Sequence, residues 1–146
     1  MAGDEGVRLT RYTDYAVRVL MHLAVHPERL CSIGEIADAY AVSRNHLMKI
    51  VNDLVNAGYV SSERGRFGGI RLSRPAAEIG IGDLVRHTEG EDELAECGTC
   101  IAAPACGLSG ALGEALGAFM AVLDGYTLAD ITRQRAALGA LLGTAV

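Results

Sequence analysis

Three of the four cysteines lie within ten residues of one another, in a C-x2-C-x5-C pattern formed by Cys97, Cys100 and Cys106. Clustered thiols in a reducing compartment indicate metal or redox chemistry more than a disulfide framework. A structural zinc site takes four protein ligands, commonly as two close pairs, so this set is one ligand short. A thioredoxin-like C-x2-C site requires a preceding strand and a following helix in a parallel-sheet context, and the sequence shows no such pattern.

An iron–sulfur cluster fits the three clustered cysteines better. Three thiolates on a loop that contains glycine and proline can hold such a cluster if the remaining iron takes a ligand from elsewhere in the protein. Cys31 lies far from the loop in sequence, and we expect it to be a small buried hydrophobic residue. The sequence therefore predicts a cluster at Cys97, Cys100 and Cys106.

The segments on either side of these cysteines differ in character. Glu89 to Glu96 contains five carboxylates and is predicted to be an acidic loop. Downstream, apolar residues at helical spacing predict a long amphipathic helix, and these residues are Leu108, Leu112, Leu116, Phe119, Met120 and Leu123. Such a helix packs against a second subunit or folds back on its own domain, and we expect the first. Thr127-Leu128-Ala129-Asp130 can cap a last helix.

The net charge of −5 conceals two halves of opposite sign. Residues 1–74 hold ten basic and eight acidic residues, whereas residues 75–146 hold three basic and ten acidic ones. Residues 44–74 alone carry six basic residues against two acidic ones. This asymmetry indicates a basic binding face beside an acidic module, which suits a nucleic-acid partner despite the acidic average.

Caps and apolar spacing outline the elements that would position a binding face. A helical stripe starts at Tyr12 and ends before Pro27. Ser32-Ile33-Gly34-Glu35 is a capping-box pattern that opens a short second helix. Ala41-Val42-Ser43 is a tight turn whose serine can cap a third helix, and Gly58 ends that helix. Two helices joined in this way predict a helix-turn-helix motif.

A short basic hairpin is predicted directly after this motif. Tyr59 to Glu63 and Ile70 to Ser73 have the character of two strands. The glycine-rich turn between them carries Arg64 and Arg66. A hairpin in this place is typical of a winged helix-turn-helix, and its tip could reach phosphates or an adjacent minor groove.

Polar residues on the third helix and the hairpin are candidates for DNA contacts. They are Ser43, Arg44, Asn45, His46, Lys49, Arg64 and Arg66. Taken alone, a charged helix face is more often a solvated surface than a binding site. Here the capping box, tight turn, glycine stop and basic hairpin follow one another in order, and this combination favours DNA binding over a solvated surface.

Length and composition limit the overall organisation. A chain of 146 residues, half of them apolar, suits one domain or one small domain with an appendage. Its apolar runs are too short for a membrane span, and residues 1–6 do not resemble a secretion signal, so we expect a cytoplasmic protein. The predicted fold is mainly α with a small β-wing. It comprises a disordered extension (1–6), a winged helix-turn-helix domain (7–85), a cluster loop (86–109), and a dimerisation helix with a C-terminal helix (110–146).

Several segments of the chain, taken in order, resemble a known family. They are residues 7–16 (VRLTRYTDYA), 42–50 (VSRNHLMKI), 64–72 (RGRFGGIRL), the three cysteines, and residues 126–130 (YTLAD). The family is that of the winged-helix iron–sulfur transcription regulators, which includes the nitric-oxide sensor NsrR and the cluster-assembly regulator IscR. The resemblance runs from Val7 to about Ile131, and the second and last segments favour the NsrR branch.

The resemblance implies a cluster type and a ligand set. The family normally has a longer gap between its first and second cysteines than the two residues between Cys97 and Cys100. Either the loop at Cys97 is tighter than in the family, or the position of this ligand is shifted. The IscR branch has a histidine three residues after the last cysteine as fourth ligand of a two-iron cluster, but this chain has Ser109 there and no histidine beyond it. The implied cofactor is therefore a 4Fe-4S cluster. The implied fourth ligand is a carboxylate of the partner subunit, at the position of Asp14; the alternative for Asp14 is a helix-start ion pair with Arg18.

Together these features predict a cytoplasmic homodimeric repressor that binds an inverted-repeat operator and is not an enzyme. Nitric oxide is the predicted signal, and nitrosylation of the cluster is expected to release the DNA. One alternative is a regulator of the same fold that senses iron or cluster status. A less favoured one is a redox carrier that uses Cys97 and Cys100.

Overall fold

A computed structural model describes residues 9–90, 101–102 and 105–142 of the chain. Within these residues the helices are α1 (Arg11–Val25), α2 (Ile33–Tyr40), α3 (Arg44–Asn56), α4 (Ile81–Glu89), α5 (Leu108–Asp124), α6 (Leu128–Ile131) and α7 (Arg135–Leu141). Strands β1 (Val60–Glu63) and β2 (Gly69–Leu72) form one antiparallel sheet. The predicted mainly α fold with a small β-wing is confirmed. The predicted extension, residues 1–6, lies outside the described residues.

The second helix begins at the predicted capping box. The Ser32 hydroxyl accepts a hydrogen bond from the Glu35 amide at 3.0 Å, and the Glu35 carboxylate accepts one from the Ser32 amide at 2.9 Å. Two of the helix's orphan amides are thereby satisfied. The helix ends at Ala41, whose left-handed backbone (φ +55°) turns the chain sharply towards α3.

The third helix is capped at both ends as the sequence predicts. The Ser43 hydroxyl accepts from the His46 amide at 3.4 Å. At the other end, the Tyr59 amide donates to the Leu54 carbonyl at 2.9 Å, and the Gly58 amide to the Val55 carbonyl at 3.1 Å. Gly58 has φ +88°, a conformation that favours glycine, so it stops the helix and sends the chain into the wing.

The wing is a regular hairpin with its tip at residues 64–68. Its register pairs Val60 with Leu72 and Glu63 with Gly69. A Cβ atom on Gly68 would lie 2.1 Å from the Glu63 carbonyl oxygen, so only glycine fits this turn. A third backbone segment joins the sheet at Cys31, whose amide and carbonyl both pair with Ile70, at 2.9 and 2.8 Å. The wing is thus anchored to the connection between α1 and α2.

One hydrophobic core joins the helix-turn-helix, the wing root, α4 and α6. Its largest fully buried apolar side chains are Leu20, Leu23, Ile36, Leu47, Ile50, Leu54, Ile79, Leu84 and Leu128. Leu128 comes from α6, which returns to this core after α5 and pairs with the segment before α4 through the Leu128 amide and the Ile79 carbonyl at 2.8 Å. Among the described residues no helix is long and apolar enough to cross a membrane.

Helix α5 packs on α4 and exposes most of its apolar surface. Arg86 donates two hydrogen bonds to Asp124, at 2.7 and 2.8 Å, where the end of α5 crosses α4. A Cβ atom on Gly82 would overlap the Asp124 carboxylate, so glycine permits this close approach. None of the α5 residues is buried in the single chain. The long helix predicted from the apolar spacing is present, starting at Leu108.

The structure corrects the sequence analysis at Glu89. The predicted acidic loop is wrong for this residue, which is the last residue of α4. The helix continues because Thr88 and Glu89 both find partners in the folded chain, which the local charge pattern could not indicate. Residues 91–100, which contain the other four carboxylates, lie outside the described residues.

Candidate functional site

All five DNA-binding candidates on and before α3 are exposed. Ser43, Arg44, Asn45, His46 and Lys49 lie on its N-terminal half, while Leu47 and Ile50 on the opposite side are buried. Helical spacing produces this separation, because residues three and four apart share one face. The solvent-facing side of α3 therefore carries amide, imidazole and cationic groups of the kinds that contact bases and phosphates.

Two of these candidates also contact the protein. The His46 ring meets the Tyr15 ring edge-on, with centroids 5.3 Å apart. The Arg44 guanidinium lies over Gly34, where an added Cβ atom would come within 2.5 Å of it. Gly34 on α2 thus leaves room for Arg44 beside the first turn of α3.

The position of α3 is fixed by an acidic residue on its inner side. Asp53 accepts hydrogen bonds from the Tyr12 hydroxyl at 2.5 Å and from His87 Nε2 at 2.9 Å. Tyr12 belongs to α1 and His87 to α4, so one carboxylate joins three helices. Burial and the neighbouring Asp53 carboxylate raise the pKa of Tyr12, which keeps its hydroxyl protonated as the donor.

The wing tip presents the two predicted arginines together with an aromatic residue that the sequence analysis did not single out. Arg64 and Arg66 are exposed, and Arg66 lies 5.7 Å from the centre of the Phe67 ring. Phe67 is 87% exposed. Met48 on α3 was also missed and is 45% exposed. The sequence does contain a signal for the exposure of Phe67, because an aromatic residue among glycines in a basic turn has few apolar neighbours with which to form a core.

The described part of the cluster loop contains one of the three predicted cysteine ligands. Cys97 and Cys100 lie outside the described residues. Cys106 is exposed, and its sulfur accepts a hydrogen bond from the Leu108 amide at 3.4 Å, in the first turn of α5. Ile101, Ala102 and Ala105 line an open depression beside this thiol. The Cys106 sulfur is thus open to solvent and accepts one backbone N–H bond, and its role as a cluster ligand stays a prediction.

Asp14 lies in the first turn of α1 and pairs with Arg18. Arg18 Nε donates to Asp14 Oδ1 at 2.8 Å, and a second guanidinium nitrogen donates to Oδ2 at 3.3 Å. The side chain of Asp14 is 46% exposed. Within one chain Asp14 therefore forms the ion pair given above as the alternative to metal ligation, and its carboxylate stays accessible from outside.

Glu89 connects the end of α4 to the first turn of α1. One of its carboxylate oxygens accepts hydrogen bonds from the Thr10 amide at 2.8 Å, from the Thr10 hydroxyl at 2.6 Å and from the Thr13 hydroxyl. Partial burial alone would raise the pKa of Glu89, but these hydrogen bonds outweigh it and hold the pKa below its usual value. This clamp of Glu89 on Thr10 and Thr13 holds the end of α4 next to the helical turn that carries Asp14.

Replacing Glu89 by glutamine should destabilise this connection in a pH-dependent way. A carboxylate whose pKa is depressed in the folded state stabilises the fold fully above its ordinary pKa of 4.5, and this stabilisation declines from there and is lost as the pH falls through the lower folded-state pKa. We expect Glu89→Gln to lower the free energy of unfolding at pH 7 by about 1 kcal/mol. Urea unfolding followed by circular dichroism at pH 7 and pH 4 measures the effect. The exposed Glu78→Gln is the control; an equal loss at both pH values for Glu89→Gln would contradict the clamp.

Comparison with known proteins places these features in a family. Residues 9–134 match the model of the Rrf2 family, described as iron-dependent transcriptional regulators. The chain belongs to the Rrf2 family. The HTH-type transcriptional regulator NsrR of Bacillus licheniformis is 48% identical over 131 residues, which cover 86% of this chain and 92% of that protein. The resemblance inferred from the sequence is confirmed, and the chain is a transcriptional regulator of the Rrf2 family.

Solved structures of Rrf2 regulators share this architecture. The structure of T. potens IscR superposes with a TM-score of 0.73 and 28% identity, covering 88% of each chain. Staphylococcus aureus CymR gives a TM-score of 0.70 at 28% identity, over 84% of this chain and 96% of that one. The likeness to these structures thus covers most of the chain, in agreement with the family match over residues 9–134.

Proposed function

We propose that this Rrf2 regulator is a homodimeric, cytoplasmic repressor that carries a 4Fe-4S cluster and senses nitric oxide. Cys97, Cys100 and Cys106 would hold the cluster, with Asp14 of the partner subunit as fourth ligand. The observation that supports DNA binding best is the exposed polar face of α3 beside the basic wing. The cluster and the signal rest on the cysteine pattern, on the exposed Cys106 thiol and on the similarity to NsrR.

The DNA-binding surface divides into base-reading and backbone-binding parts. Arg44, Asn45 and Lys49 lie at the N-terminal half of α3, the part of a recognition helix that reaches base edges in the major groove. Arg64 and Arg66 at the wing tip suit phosphates or the minor groove, where cations are attracted by the negative potential. Phe67 adds an exposed apolar ring at the same tip.

A second copy of the chain is the proposed partner of α5. Leu108, Phe119 and Val122 are 53%, 44% and 63% exposed, and α5 contains only Glu114 and Asp124 as charged residues. Exposed apolar surface of this extent marks an interaction site. Two-fold symmetry would place two recognition helices on an inverted repeat, with half-sites about one helical turn, or a multiple, apart.

The cluster would couple the signal to the DNA-binding surface. When bound, it supplies iron that reacts with nitric oxide. The loop containing Cys106 precedes α5, and Asp14 lies on α1, which packs against α3. A ligand set drawn from both subunits would hold the two recognition helices at the spacing of the operator. Loss of these ligand bonds on exposure to nitric oxide would remove that constraint and would shift the dimer towards conformations that bind the operator weakly.

A second candidate function is the sensing of iron or cluster status, which the description of the family as iron-dependent favours. The two candidates differ in what releases the DNA. Brief exposure of the anaerobic holoprotein to nitric oxide should release the operator while the iron is still bound to protein. Release only after a chelator has removed the iron would favour iron sensing.

Alanine at Arg44 or Lys49 should weaken operator binding. A lost phosphate contact lowers the slope of log K against log salt by about one, whereas a lost base contact costs about 1–3 kcal/mol and relaxes specificity. The probe is an inverted-repeat duplex selected from random sequences by the wild-type holoprotein. Fluorescence anisotropy at several salt concentrations gives both quantities, and the stoichiometry should be two chains per duplex.

Arg133→Ala provides the matched control for charge. Arg133 is exposed, belongs to the connection between α6 and α7 and not to α3 or the wing, and pairs with Asp130 at 2.7 Å. Its removal changes the net charge by the same amount and should leave the salt slope unchanged. Wild-type affinity for both Arg44→Ala and Lys49→Ala would exclude this face of α3 from the DNA interface.

A further inference from the structure

A second cluster of metal-binding side chains lies inside the DNA-binding domain. A ring nitrogen of His22, the Cys31 sulfur and a Glu35 carboxylate oxygen all lie within 4.8 Å of one another. His22 comes from α1, Glu35 from the first turn of α2, and Cys31 from the connection between them. None of the three belongs to the predicted cluster ligands.

The burial of these groups distinguishes them from an ordinary surface cluster. The side chain of His22 and the whole of Cys31 are 0% exposed, and the side chain of Glu35 is 27% exposed. His22 Nε2 lies 3.0 Å from Glu35, but Nδ1 is buried and has no hydrogen-bond partner among the described residues. An unpaired buried nitrogen is costly, so the fold leaves this ring nitrogen with unused binding capacity.

Arg29 now provides the positive charge of this cluster. It donates two hydrogen bonds to Glu35, both at 2.9 Å, and approaches the Cys31 sulfur at 3.5 Å. The arginine side chain is 39% exposed and can turn into solvent. Binding of a divalent cation would displace the Arg29 guanidinium from the site and release the Cys31 thiol proton to solvent. The two charges of the ion would thus replace two positive charges. The net charge of the site would therefore not change.

We propose that His22, Cys31 and Glu35 form a second metal site, which takes a divalent ion of borderline softness such as Zn²⁺. Imidazole nitrogen, thiolate sulfur and carboxylate oxygen are the three ligand types that Zn²⁺ accepts, and an exogenous ligand such as water can complete four-coordination. The site is independent of the iron–sulfur cluster, because it shares no ligand with the cysteine loop.

Occupancy of the site would affect the wing. The backbone of Cys31 forms two hydrogen bonds with Ile70 of β2, and Gly69 packs against the Cys31 carbonyl. A metal bound to Cys31 would tie α1, α2 and the root of the wing together. Hydrogen exchange of the Cys31 and Ile70 amides should slow when the ion binds.

Cobalt binding to the full-length Cys97→Ser/Cys100→Ser/Cys106→Ser chain tests this site with Cys31 as the sole thiol. We expect one Co²⁺ per chain, with thiolate-to-metal charge-transfer absorption in the near ultraviolet and displacement by Zn²⁺. Adding Cys31→Ser should abolish that absorption. The proposal would be overturned if the folded triple-serine chain lacked this charge-transfer absorption. It would also be overturned if the absorption persisted after Cys31→Ser was added.

Two further variants keep the test decisive. If circular dichroism shows that Cys31→Ser does not fold, Glu35→Gln takes its place and should weaken Co²⁺ binding by at least about tenfold. An unchanged affinity would overturn the proposal. His87→Gln is the matched control, because it removes another carboxylate-paired histidine outside the site and should leave Co²⁺ binding unchanged.

Discussion

Serine at Cys106 should abolish the iron–sulfur cluster and with it specific binding to the operator. A hydroxyl lacks the charge and softness by which a thiolate holds iron, so a cluster with one such ligand replaced is not retained through purification. The sulfur of Cys106 is exposed and its acceptor bond comes from one backbone amide, so the substitution should leave the fold intact. Anaerobic purification followed by iron, sulfide and absorption measurements should show no cluster.

Cys31→Ser is the control, because it changes the same chemical group at a different place. Cys31 is fully buried, and burial raises the pKa of its thiol to about 11, so it is a neutral thiol in the metal-free domain. The cluster should survive this substitution, although the domain loses some stability. Cys97→Ser and Cys100→Ser should behave like Cys106→Ser. Retention of the cluster in Cys97→Ser combined with its loss in Cys31→Ser would make Cys31 the third ligand.

The parts of the fold that could be predicted from sequence are those fixed by local chemistry. The capping box at Ser32 and Glu35, the serine cap of α3 and the glycine stop at Gly58 all depend on groups within five residues of one another. Each is satisfied by its own sequence neighbours, so the pattern alone determines it. The two short strands follow from the same kind of local signal. Three of their four observed ends differ from the predicted ends, each by one residue.

The contacts that sequence could not predict join residues far apart in the chain. Glu89 reaches Thr10 across 79 positions, and Asp53 accepts from Tyr12 and His87 at separations of 41 and 34. Nothing near Glu89 in sequence distinguishes it from the neighbouring carboxylates of the acidic segment. These contacts form only once α1, α3 and α4 are packed together, and that packing depends on the whole core.

The candidate sites show the same limit. Sequence correctly identified Glu35 as a capping residue, but its other carboxylate contacts, to His22 and Arg29, depend on the packing of α1 against α2. Partial burial alone would raise the pKa of Glu35, yet the bonds from Arg29, the Ser32 amide and His22 lower it to about 2. The role of Asp14 at the cluster stays a prediction, since its proposed contact lies in another subunit.

Alanine at Asp14 should change the chemistry of the cluster while preserving the dimer and the fold. A carboxylate binds a cluster iron less firmly than a thiolate, so the iron that it holds is the most open to an incoming diatomic molecule. We expect Asp14→Ala to alter the absorption spectrum, to speed removal of iron by a chelator by at least about tenfold, and to change the rate of reaction with nitric oxide. Anaerobic stopped-flow absorption measures the two rates.

The contacts of Asp14 also predict a graded series. Arg18 donates to both of its oxygens in the single chain and orients the carboxylate, so Arg18→Ala should produce a weaker form of the same effect. Asp38→Ala removes an exposed carboxylate from α2 and should change neither rate.

If Asp14 does bind the cluster across the dimer, each cluster connects two subunits, and its loss repositions the two wings without unfolding either domain. A cluster in Asp14→Ala that matched the wild type in spectrum, chelator lability and nitric-oxide reactivity would leave Asp14 as a helix-start ion pair, and another group would have to complete the site.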